Sequence, residues 1–415
     1  MADSLQIVDL AELGQVQLSY IDTNGRAETA PAVDFSLPLT ESESDEIRWY
    51  LSEYPKNTFG EAVERAQKVE VGLKDLGQLL FQSVFGSGNE ARSLAEKASE
   101  TEPPLLSVIS TRPEFLGLPW ELLNNGGDAY LASRLTGISR RTWPEPLESF
   151  SGKLPTDQLN VLLLLPPSTE GTGSIASEAL TALESLPVSA ELDCLRPSTE
   201  ANFIEHLSNQ RAHYHLVHLD GFTINSQGIH MEDGSGGVQT VAAAALAQTL
   251  NSAQTPVVLV NASASSSLND VMSFTAGLAQ NGVPQVVVAP LPIAGAGKVL
   301  LSEFFFKELS SGSPVTKAIA TVRQAMMEHP QRPSAAGPLV SWDWTLPMAF
   351  ESKTYSPEAI VAEEQDEPVP GMAPPEQDTH GTELPRGGPY GLIGRHEELL
   401  ELERRFLQTP VVMPP

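Results

Sequence analysis

Side chains that could do chemistry gather in two short apolar segments of the sequence. The first, HYHLVHLDGF (213–222), carries three histidines and an aspartate, and the second, VVLVNASAS (257–265), ends in an asparagine and serines. His218, Asp220 and Ser263 are the residue types of a Ser-His-Asp hydrolase. His218, however, lies within an apolar run, so we expect its imidazole to be hydrogen-bonded inside a sheet. Asp220 could cap a turn there, or bind a basic or amide group.

The histidines do not form a metal-binding pattern. His213 and His215 share one face of a predicted strand, whereas His218 points to the opposite face, because successive side chains of a strand alternate. The one cysteine, Cys194, lies in the alternating segment AELDCLR, where we expect a small core residue. We therefore predict no metal site, and a single cysteine allows no intramolecular disulfide.

The segment AGAGKVLL (294–301) lies between a predicted strand and a predicted helix, which is the setting of a phosphate-binding loop. That motif needs a glycine, four residues, Gly-Lys and then a serine or threonine. Gly297 and Lys298 match the motif. Pro292 occupies the first glycine position, and Val299 replaces the hydroxyl that would bind magnesium. We interpret the segment as a glycine loop that opens a core helix, and we predict no nucleotide or other cofactor.

The reactive segments belong to a region in which predicted strands and helices alternate. From residue 158 to 352, apolar runs typical of strands that are buried on both faces are separated by predicted helices. This alternation favours an α/β fold with a mainly parallel sheet and helices on both faces. Residues 1–145 predict a smaller α/β region that precedes this core.

The composition excludes several classes of partner. Against 53 Asp and Glu the chain has 25 Lys and Arg, a net charge of −28, which repels the phosphate backbone of nucleic acids. No apolar run reaches the ~18 residues of a membrane span, and the N-terminus lacks the pattern of a signal peptide. We therefore expect a cytoplasmic protein that binds neither nucleic acid nor membrane.

The C-terminal residues differ from the rest. Residues 353–389 are acidic and rich in proline with almost no aromatic side chains, so we predict a disordered linker. Residues 390–415 begin YGLIGRHEELLELERRF, which resembles the entry to STAND-type nucleotide-binding domains. The sequence stops where the strand before the phosphate loop would begin. We interpret it as the truncated start of an NTPase domain, with a plain amphipathic helix as the alternative.

An ordered series of motifs resembles the CHAT family of caspase-like peptidases. The motifs are SVISTRPEFLGLPWELL (107–123), ISRRTW (138–143), HYHLVHLDGF (213–222), VVLVNASAS (257–265) and QVVVAPLPI (285–293). The resemblance implies a caspase/hemoglobinase-like fold. It also implies that a catalytic histidine and a catalytic cysteine stand at the carboxyl ends of neighbouring strands.

The resemblance breaks at both catalytic positions. The family motif His-Phe-x-Gly-His-Gly reads HLDGFT (218–223) here, so Phe222 stands in place of the catalytic histidine. The family motif Asn-Ala-Cys reads NAS (261–263), so Ser263 replaces the nucleophilic thiol. A phenylalanine accepts no proton, and a serine needs a general base to become a nucleophile. Cysteine-peptidase chemistry by this pair is therefore not expected.

The residues that remain at the predicted strand ends favour binding over cleavage. We expect a concave surface that holds a peptide or protein segment, formed by His218, Asp220, Gly221 and Asn261. The leading hypothesis is an inactive CHAT domain that acts as a regulatory or effector module, in bacterial signalling or defence as the resemblance implies. Two alternatives stay open. One is an inactivated copy of a cysteine peptidase, and the other is a scaffold that holds an oligomer together.

Overall fold

The structure is a computed structural model. It describes residues 3–86, 88–100, 103–127, 130–144, 150–167, 175–293, 295–352, 355 and 357–361. The predicted linker 353–389 therefore falls outside the described residues, except for 355 and 357–361. The predicted start of an NTPase domain, 390–415, falls outside them entirely.

The chain begins with an antiparallel hairpin. Strands β1 (Ser4–Leu10) and β2 (Gln15–Ile21) pair along their full lengths, and alternate residues of β2 are buried, as the alternating sequence predicts. The short strands β3 (Ala27–Thr29) and β4 (Val33–Asp34) both pair with β2. Strand β1 also pairs with the later strand Leu105–Ser110, so the hairpin and its two short strands form one end of a larger sheet.

Three helices follow this hairpin: α1 (Glu41–Ser52), α2 (Glu61–Val84) and α3 (Asn89–Glu100). Helix α1 begins with a capping box, in which the Thr40 side chain accepts from the backbone N–H of Glu43 and the Glu43 carboxylate accepts from the N–H of Thr40. These bonds satisfy two of the backbone donors that a helix start leaves open.

The rest of the chain alternates strands and helices, as predicted. Its elements are β5 (Leu105–Ser110), α4 (Pro113–Leu116), β6 (Gly137–Thr142), β7 (Leu159–Leu164), α5 (Ile175–Glu184), β8 (Ala190–Leu195), α6 (Glu200–Asn209), β9 (Leu216–Phe222), β10 (Ile224–Asn225), β11 (Gly228–Glu232), β12 (Val238–Val241), α7 (Ala243–Ala253), β13 (Val257–Ala262), α8 (Leu268–Gln280), β14 (Gln285–Ala289), α9 (Gly295–Ser310), α10 (Val315–Glu328), β15 (Gln331–Arg332), β16 (Leu339–Val340) and β17 (Met348–Glu351). Strands β10, β11 and β12 form a separate small sheet, and β15 pairs with β16.

Twelve of the described strands form one sheet in the order β3-β2-β1-β5-β6-β17-β14-β13-β9-β7-β8, with β4 also on β2. Its pairs are mostly parallel, and the antiparallel ones are those of β2 and the β14–β17 pair. Strands β7, β13 and β14 are buried at every residue, so helices must cover both faces, because successive side chains alternate between faces. The predicted α/β fold with a mainly parallel sheet is confirmed.

The edge of this sheet corrects one expectation from the sequence. Cys194 lies on β8, which pairs only with β7 in the described sheet, and the cysteine is exposed. The prediction of a core position for it was wrong, because alternation alone does not distinguish an edge strand from a central one.

A buried ion network connects the N-terminal region to the core. Glu121, which follows α4, accepts hydrogen bonds from Nη1 and Nη2 of Arg140 on β6 at 2.9 and 2.8 Å. Nη2 of Arg323, on α10, donates to the same carboxylate at 2.8 Å. Burial opposes ionisation of Glu121, but the two guanidinium groups hold the pKa of its carboxyl below the ordinary value. The network therefore stays charged and joins three separate elements.

Candidate functional site

Phe222 and Ser263, which replace the catalytic residues of the two family motifs, lie side by side. Strands β9 and β13 are parallel neighbours, and Ala262 of β13 lies opposite Phe222 of β9. The register shifts just before this pair, where Gly221 adopts a φ of 78°, a left-handed conformation that favours glycine. The N–H of Ser263 donates to the carbonyl oxygen of Phe222 at 3.0 Å. The carboxyl ends of both strands are thus joined directly at Phe222 and Ser263.

Phe222 contributes no polar group to this site. Its side chain is fully buried, at 0% exposure, and belongs to the hydrophobic core. A buried phenyl ring offers neither a proton acceptor nor a hydrogen-bond donor. The position that a catalytic histidine would occupy therefore contributes packing instead of acid–base chemistry.

Ser263 lies in a cluster of hydroxyl groups, which we call the hydroxyl cluster and which comprises Thr223, Ser263, Ser265 and Ser266. The Oγ of Ser263 lies 3.0 Å from Thr223 Oγ1 and 2.6 Å from Ser265 Oγ. Ser266 Oγ lies 3.4 Å from it and accepts the N–H of Ile224. A neutral hydroxyl is too weak a base to take a proton from serine. Among the described residues, Ser263 therefore has no hydrogen-bonded group that could activate it as a nucleophile.

A helix of the N-terminal region also contacts this cluster. Arg48, on α1, donates from Nη2 to the backbone carbonyl of Ser266 at 3.0 Å. Ser267, the next residue, caps α8: its side chain accepts the N–H of Asp270 and donates to the Asp270 carboxylate. The loop after β13 is therefore held on one side by a helix start and on the other by α1.

A second group of polar side chains lies closer to the interior of the molecule than the strand ends. It comprises His218, Asp220, Asn261 and Lys298, and we call it the buried polar group. Nε2 of His218 lies 3.0 Å from Nδ2 of Asn261. In the described part of the chain, His218 Nδ1 and Asn261 Oδ1 are buried without a hydrogen-bond partner. Burial lowers the pKa of His218; the Asp220 carboxylate opposes that shift and Lys298 adds to it. The imidazole is therefore neutral at neutral pH.

Asp220 forms an ion pair in this group. Nζ of Lys298, in the first turn of α9, lies 3.3 Å from Asp220 Oδ1, and Asp220 Oδ2 lies 4.0 Å from His218 Nε2. Glu178 of α5 interacts with the same pair: burial raises its pKa, Lys298 lowers it and Asp220 raises it further. Together with Glu178, the group therefore places two carboxyls, one ammonium and a neutral imidazole close to the carboxyl ends of the central strands.

The structure thus divides the residues expected at the site into two sets. His218, Asp220 and Asn261 come together in the buried polar group, while Ser263 lies in the hydroxyl cluster beside Phe222. Within the described chain the hydrogen bonds do not connect these sets, since His218 bonds to Asn261 and Ser263 bonds to hydroxyls. The Ser-His-Asp types seen in the sequence therefore do not form a triad.

Sequence reasoning missed five residues of the site: Glu178, Thr223, Ser265, Ser266 and Lys298. Lys298 attracts attention only as part of a failed phosphate-loop pattern, and its partner Asp220 is 78 positions away, so no local pattern links them. The hydroxyl cluster did have a local signal, because the serine run 265–267 follows the motif NAS (261–263) after a single residue, Ala264.

The other two histidines of this segment, His213 and His215, contact residues near the amino end of β9. The N–H of Asn160 donates to Nδ1 of His215 at 3.1 Å, and Nε2 of His215 lies 2.9 Å from the carbonyl of Pro155. His213 Nδ1 lies 3.5 Å from Nδ2 of the Asn160 side chain. No group of three or more His, Cys, Asp or Glu side chains among the described residues could hold a metal ion.

Fold and site together define an α/β domain with a mainly parallel sheet and a polar site where two central strands end. The sequence profile of the CHAT domain matches residues 74–368, more than half of the chain. The chain therefore belongs to the CHAT domain family, as its motifs predict.

The solved structures that are similar to this chain include two crystal structures of the Saccharomyces cerevisiae separase–securin complex, with TM-scores of 0.43 and 0.42 and sequence identities of 10% and 11%. Each match covers 84% of this chain and 30% of the matched chain, so this chain spans less than a third of that length. No curated protein sequence matches the chain. Within the described residues, no helix combines the length and the apolarity that crossing a bilayer requires.

Proposed function

We propose that this CHAT domain is catalytically inactive and works by holding a peptide or protein segment at the carboxyl ends of β9 and β13. One observation carries the proposal: the two catalytic positions of the family motifs hold a fully buried phenyl ring, Phe222, and a hydroxyl, Ser263, whose side-chain partners among the described residues are all hydroxyls. Loss of one member of a catalytic unit lowers kcat by about 10⁴–10⁶. Both members are replaced here, which leaves binding as the activity that the site can support.

The strand ends offer suitable contacts for an extended segment. Ligands of open α/β sheets bind outside the carboxyl ends of the strands. Ser265 is exposed there, and Gly221, Thr223 and Ser263 are partly exposed. Hydroxyls both donate and accept hydrogen bonds, which suits the alternating N–H and C=O groups of a peptide backbone. In this proposal the buried polar group holds the strand ends in position from the interior side.

We further infer a regulatory or effector role in the cytoplasm, in bacterial signalling or defence. Two sequence features support it: the CHAT motifs, and residues 390–415, which resemble the entry to a STAND-type NTPase domain after the acidic linker 353–389. An NTPase domain in a longer or neighbouring chain would then act as the switch, and the CHAT domain would present the segment-binding site.

A combined cleavage and binding experiment tests the proposal. A pool of fluorogenic peptides is incubated with the full chain, and we expect no turnover above a buffer blank. Random peptides displayed on phage are panned against the same chain, and enriched sequences are measured by fluorescence anisotropy. The change Ser265→Trp places an indole at the exposed side of the hydroxyl cluster and is expected to weaken their binding by about tenfold, or ~1.4 kcal/mol.

The matched control is Ser208→Trp, which adds the same indole at an exposed position of α6 and should leave affinity unchanged. Enriched peptides that bind both tryptophan variants equally would place binding elsewhere and refute the site. Cleavage by the unchanged chain that disappears in Ser263→Ala would refute the claim of inactivity.

The geometry of the strand ends favours one alternative, a disarmed copy of a cysteine peptidase. The bond between Ser263 N–H and the Phe222 carbonyl keeps the dyad positions adjacent. The double change Phe222→His and Ser263→Cys would place an imidazole beside a thiol, which is the arrangement that activates a thiolate. Turnover by the double variant, with none by either single variant, would establish this alternative.

A further inference from the structure

A pocket lies at the amino ends of three neighbouring strands, β1, β5 and β6, which run parallel to one another. Its lining includes Leu5 at the start of β1, Pro104 just before β5 and Leu135 just before β6, together with residues of α2 and α3. Its volume is about 660 Å³, and sites for small molecules usually measure about 300–1,000 Å³. No residue of the strand-end site lines it. We call this feature the amino-end pocket.

The inside of the amino-end pocket is apolar. Leu5 and Phe85 are 2% and 1% exposed and belong to the hydrophobic core, so they close the pocket on its inner side. Phe81, Ala95 and Leu131 are only partly buried, and they supply the apolar surface that a ligand can reach. Removing such surface from water contributes about 25 cal/mol per Å². The pocket is therefore suited to an apolar body of small-molecule size.

Two arginines line the same pocket. Arg92 lies on α3 and Arg134 in the short turn before β6, and both side chains are exposed. Neither guanidinium forms a hydrogen bond or an ion pair with any residue that the structure describes. Glu96, one turn after Arg92, is the one carboxylate of the lining, so the lining carries a surplus of one positive charge. This surplus is local, because the whole chain carries −28.

The positive surplus selects the ligand. Arg65, Arg112 and Arg140 each pair with a carboxylate of the chain, whereas Arg92 and Arg134 combine a place on a pocket with free donors among the described residues. A guanidinium stays charged at every accessible pH, and its planar fork of N–H donors matches a carboxylate or a sulfonate. A neutral apolar compound would leave both forks unused, and an inorganic anion would leave the apolar surface in water.

We propose that the amino-end pocket binds a small amphipathic anion, with an apolar body and one carboxylate or sulfonate head. The body lies against Phe81, Ala95 and Leu131, and the head accepts hydrogen bonds from Arg92 and Arg134. This binding activity is separate from the strand ends and goes beyond the function proposed for them.

The test uses two dyes that share one aromatic body. Anilinonaphthalene sulfonate carries an anionic head, and phenylnaphthylamine lacks it. Each dye is titrated with the full chain and followed by its fluorescence, which rises in apolar surroundings. We expect saturable binding of both, with the sulfonate dye bound at least about fivefold more tightly, as two exposed charged contacts allow. Added salt should reduce that difference, because the arginines are exposed.

The arginines are tested by changes that remove equal charge. The double change Arg92→Gln and Arg134→Gln is expected to weaken binding of the sulfonate dye by about fivefold and to leave binding of the neutral dye unchanged. The matched control is Arg196→Gln with Arg211→Gln, two exposed arginines outside the lining, which should leave both affinities unchanged. All four positions are exposed, so the fold is retained, as circular dichroism can verify.

The apolar wall is tested by filling it. Ala95→Phe places a ring in the pocket and is expected to weaken binding of both dyes by about tenfold. Ala201→Phe adds the same ring at an exposed position of α6, outside the lining, and should change neither affinity. Competition for the bound sulfonate dye then identifies the body of the ligand, since dodecanoate carries an acyl chain and naphthoate an aromatic ring on the same carboxylate head.

Three results would overturn the proposal. The first is equal affinity of the sulfonate dye for the wild type and the double arginine variant, and the second is unchanged binding of both dyes to Ala95→Phe. The third is displacement by neither carboxylate. The variant Ser265→Trp should leave dye binding unchanged, and a loss of binding there would place the dyes at the strand ends and refute the amino-end pocket as their site.

Discussion

Two buried polar regions of this molecule differ in how completely the side chains at their centre are paired. In the ion network both oxygens of Glu121 accept guanidinium donors, and all three nitrogens of Arg140 donate. Arg323 joins through Nη2, while its Nε and Nη1 find no partner in the described structure. In the buried polar group, by contrast, the central His218–Asn261 pair itself leaves one atom of each residue without a partner.

The contrast indicates different roles for the two regions. Removing the counter-ion of buried charges is strongly destabilising, and Glu121, whose two oxygens both accept guanidinium donors, therefore suits a role in fixing the relation between N-terminal and core elements. Unpaired buried atoms lower stability and concentrate at functional sites. The strand ends therefore form a site whose unpaired atoms lower the stability of the fold. They contribute less to the free energy of unfolding than Glu121 does. Four substitutions or conditions test this comparison.

The largest effect is expected for Glu121→Gln. The amide keeps the size of the side chain but removes the charge, so two buried guanidinium groups lose their counter-ion. The free energy of unfolding should fall by about 3–5 kcal/mol, measured by urea denaturation followed by circular dichroism. Glu64→Gln, at an exposed position of α2, is the control and should leave stability unchanged. A loss near zero for Glu121→Gln would remove the basis of the comparison.

A smaller loss is expected for Phe222→His. An imidazole in this apolar environment loses its hydrogen bonds to water, at a cost of about 1–3 kcal/mol. Phe222→Leu keeps the position apolar and should cost less than about 1.5 kcal/mol. The same denaturation experiment measures both. If Phe222→His destabilises the chain as much as Glu121→Gln does, the strand ends bear as much of the stability as the ion network.

The pH dependence of stability should reveal the neutral, buried His218. Because burial lowers its pKa in the folded state, the unfolded chain binds the proton more readily, and stability falls as the pH drops through the unfolded value of about 6.5. In His218→Gln the loss of stability between neutral pH and about pH 5 should be smaller. His215, whose pKa burial also lowers, should maintain part of the dependence. An unchanged pH profile in the variant would show that the pKa of His218 does not differ between the folded and the unfolded chain.

The smallest effect is expected for Ser263→Ala. It removes one member of the hydroxyl cluster, and Thr223 and Ser265 still bond each other at 2.7 Å. The free energy of unfolding should change by less than about 1 kcal/mol. A loss of several kcal/mol would mean that the cluster, rather than the ion network, secures this end of the sheet.

Periodicity and motifs predict much of this molecule from local information. The alternation of apolar runs and helices gives the parallel core, and the motifs HLDGFT (218–223) and NAS (261–263) mark the two strand ends that prove adjacent. Contacts between distant residues escape this reasoning. The ion pair of Lys298 with Asp220 and the network around Glu121 connect segments whose proximity only the folded chain creates.

The hydrogen bond from Arg48 to the Ser266 carbonyl couples ligand binding at α1 to ligand binding at the strand ends. It joins residues 218 positions apart, and it makes the energy of the loop after β13 depend on where α1 lies. A ligand that binds more tightly to one position of α1 would change the affinity of the strand ends for their own ligand. Thermodynamic reciprocity requires the coupling free energy to be identical in the opposite direction, so occupancy of either site can be measured at the other.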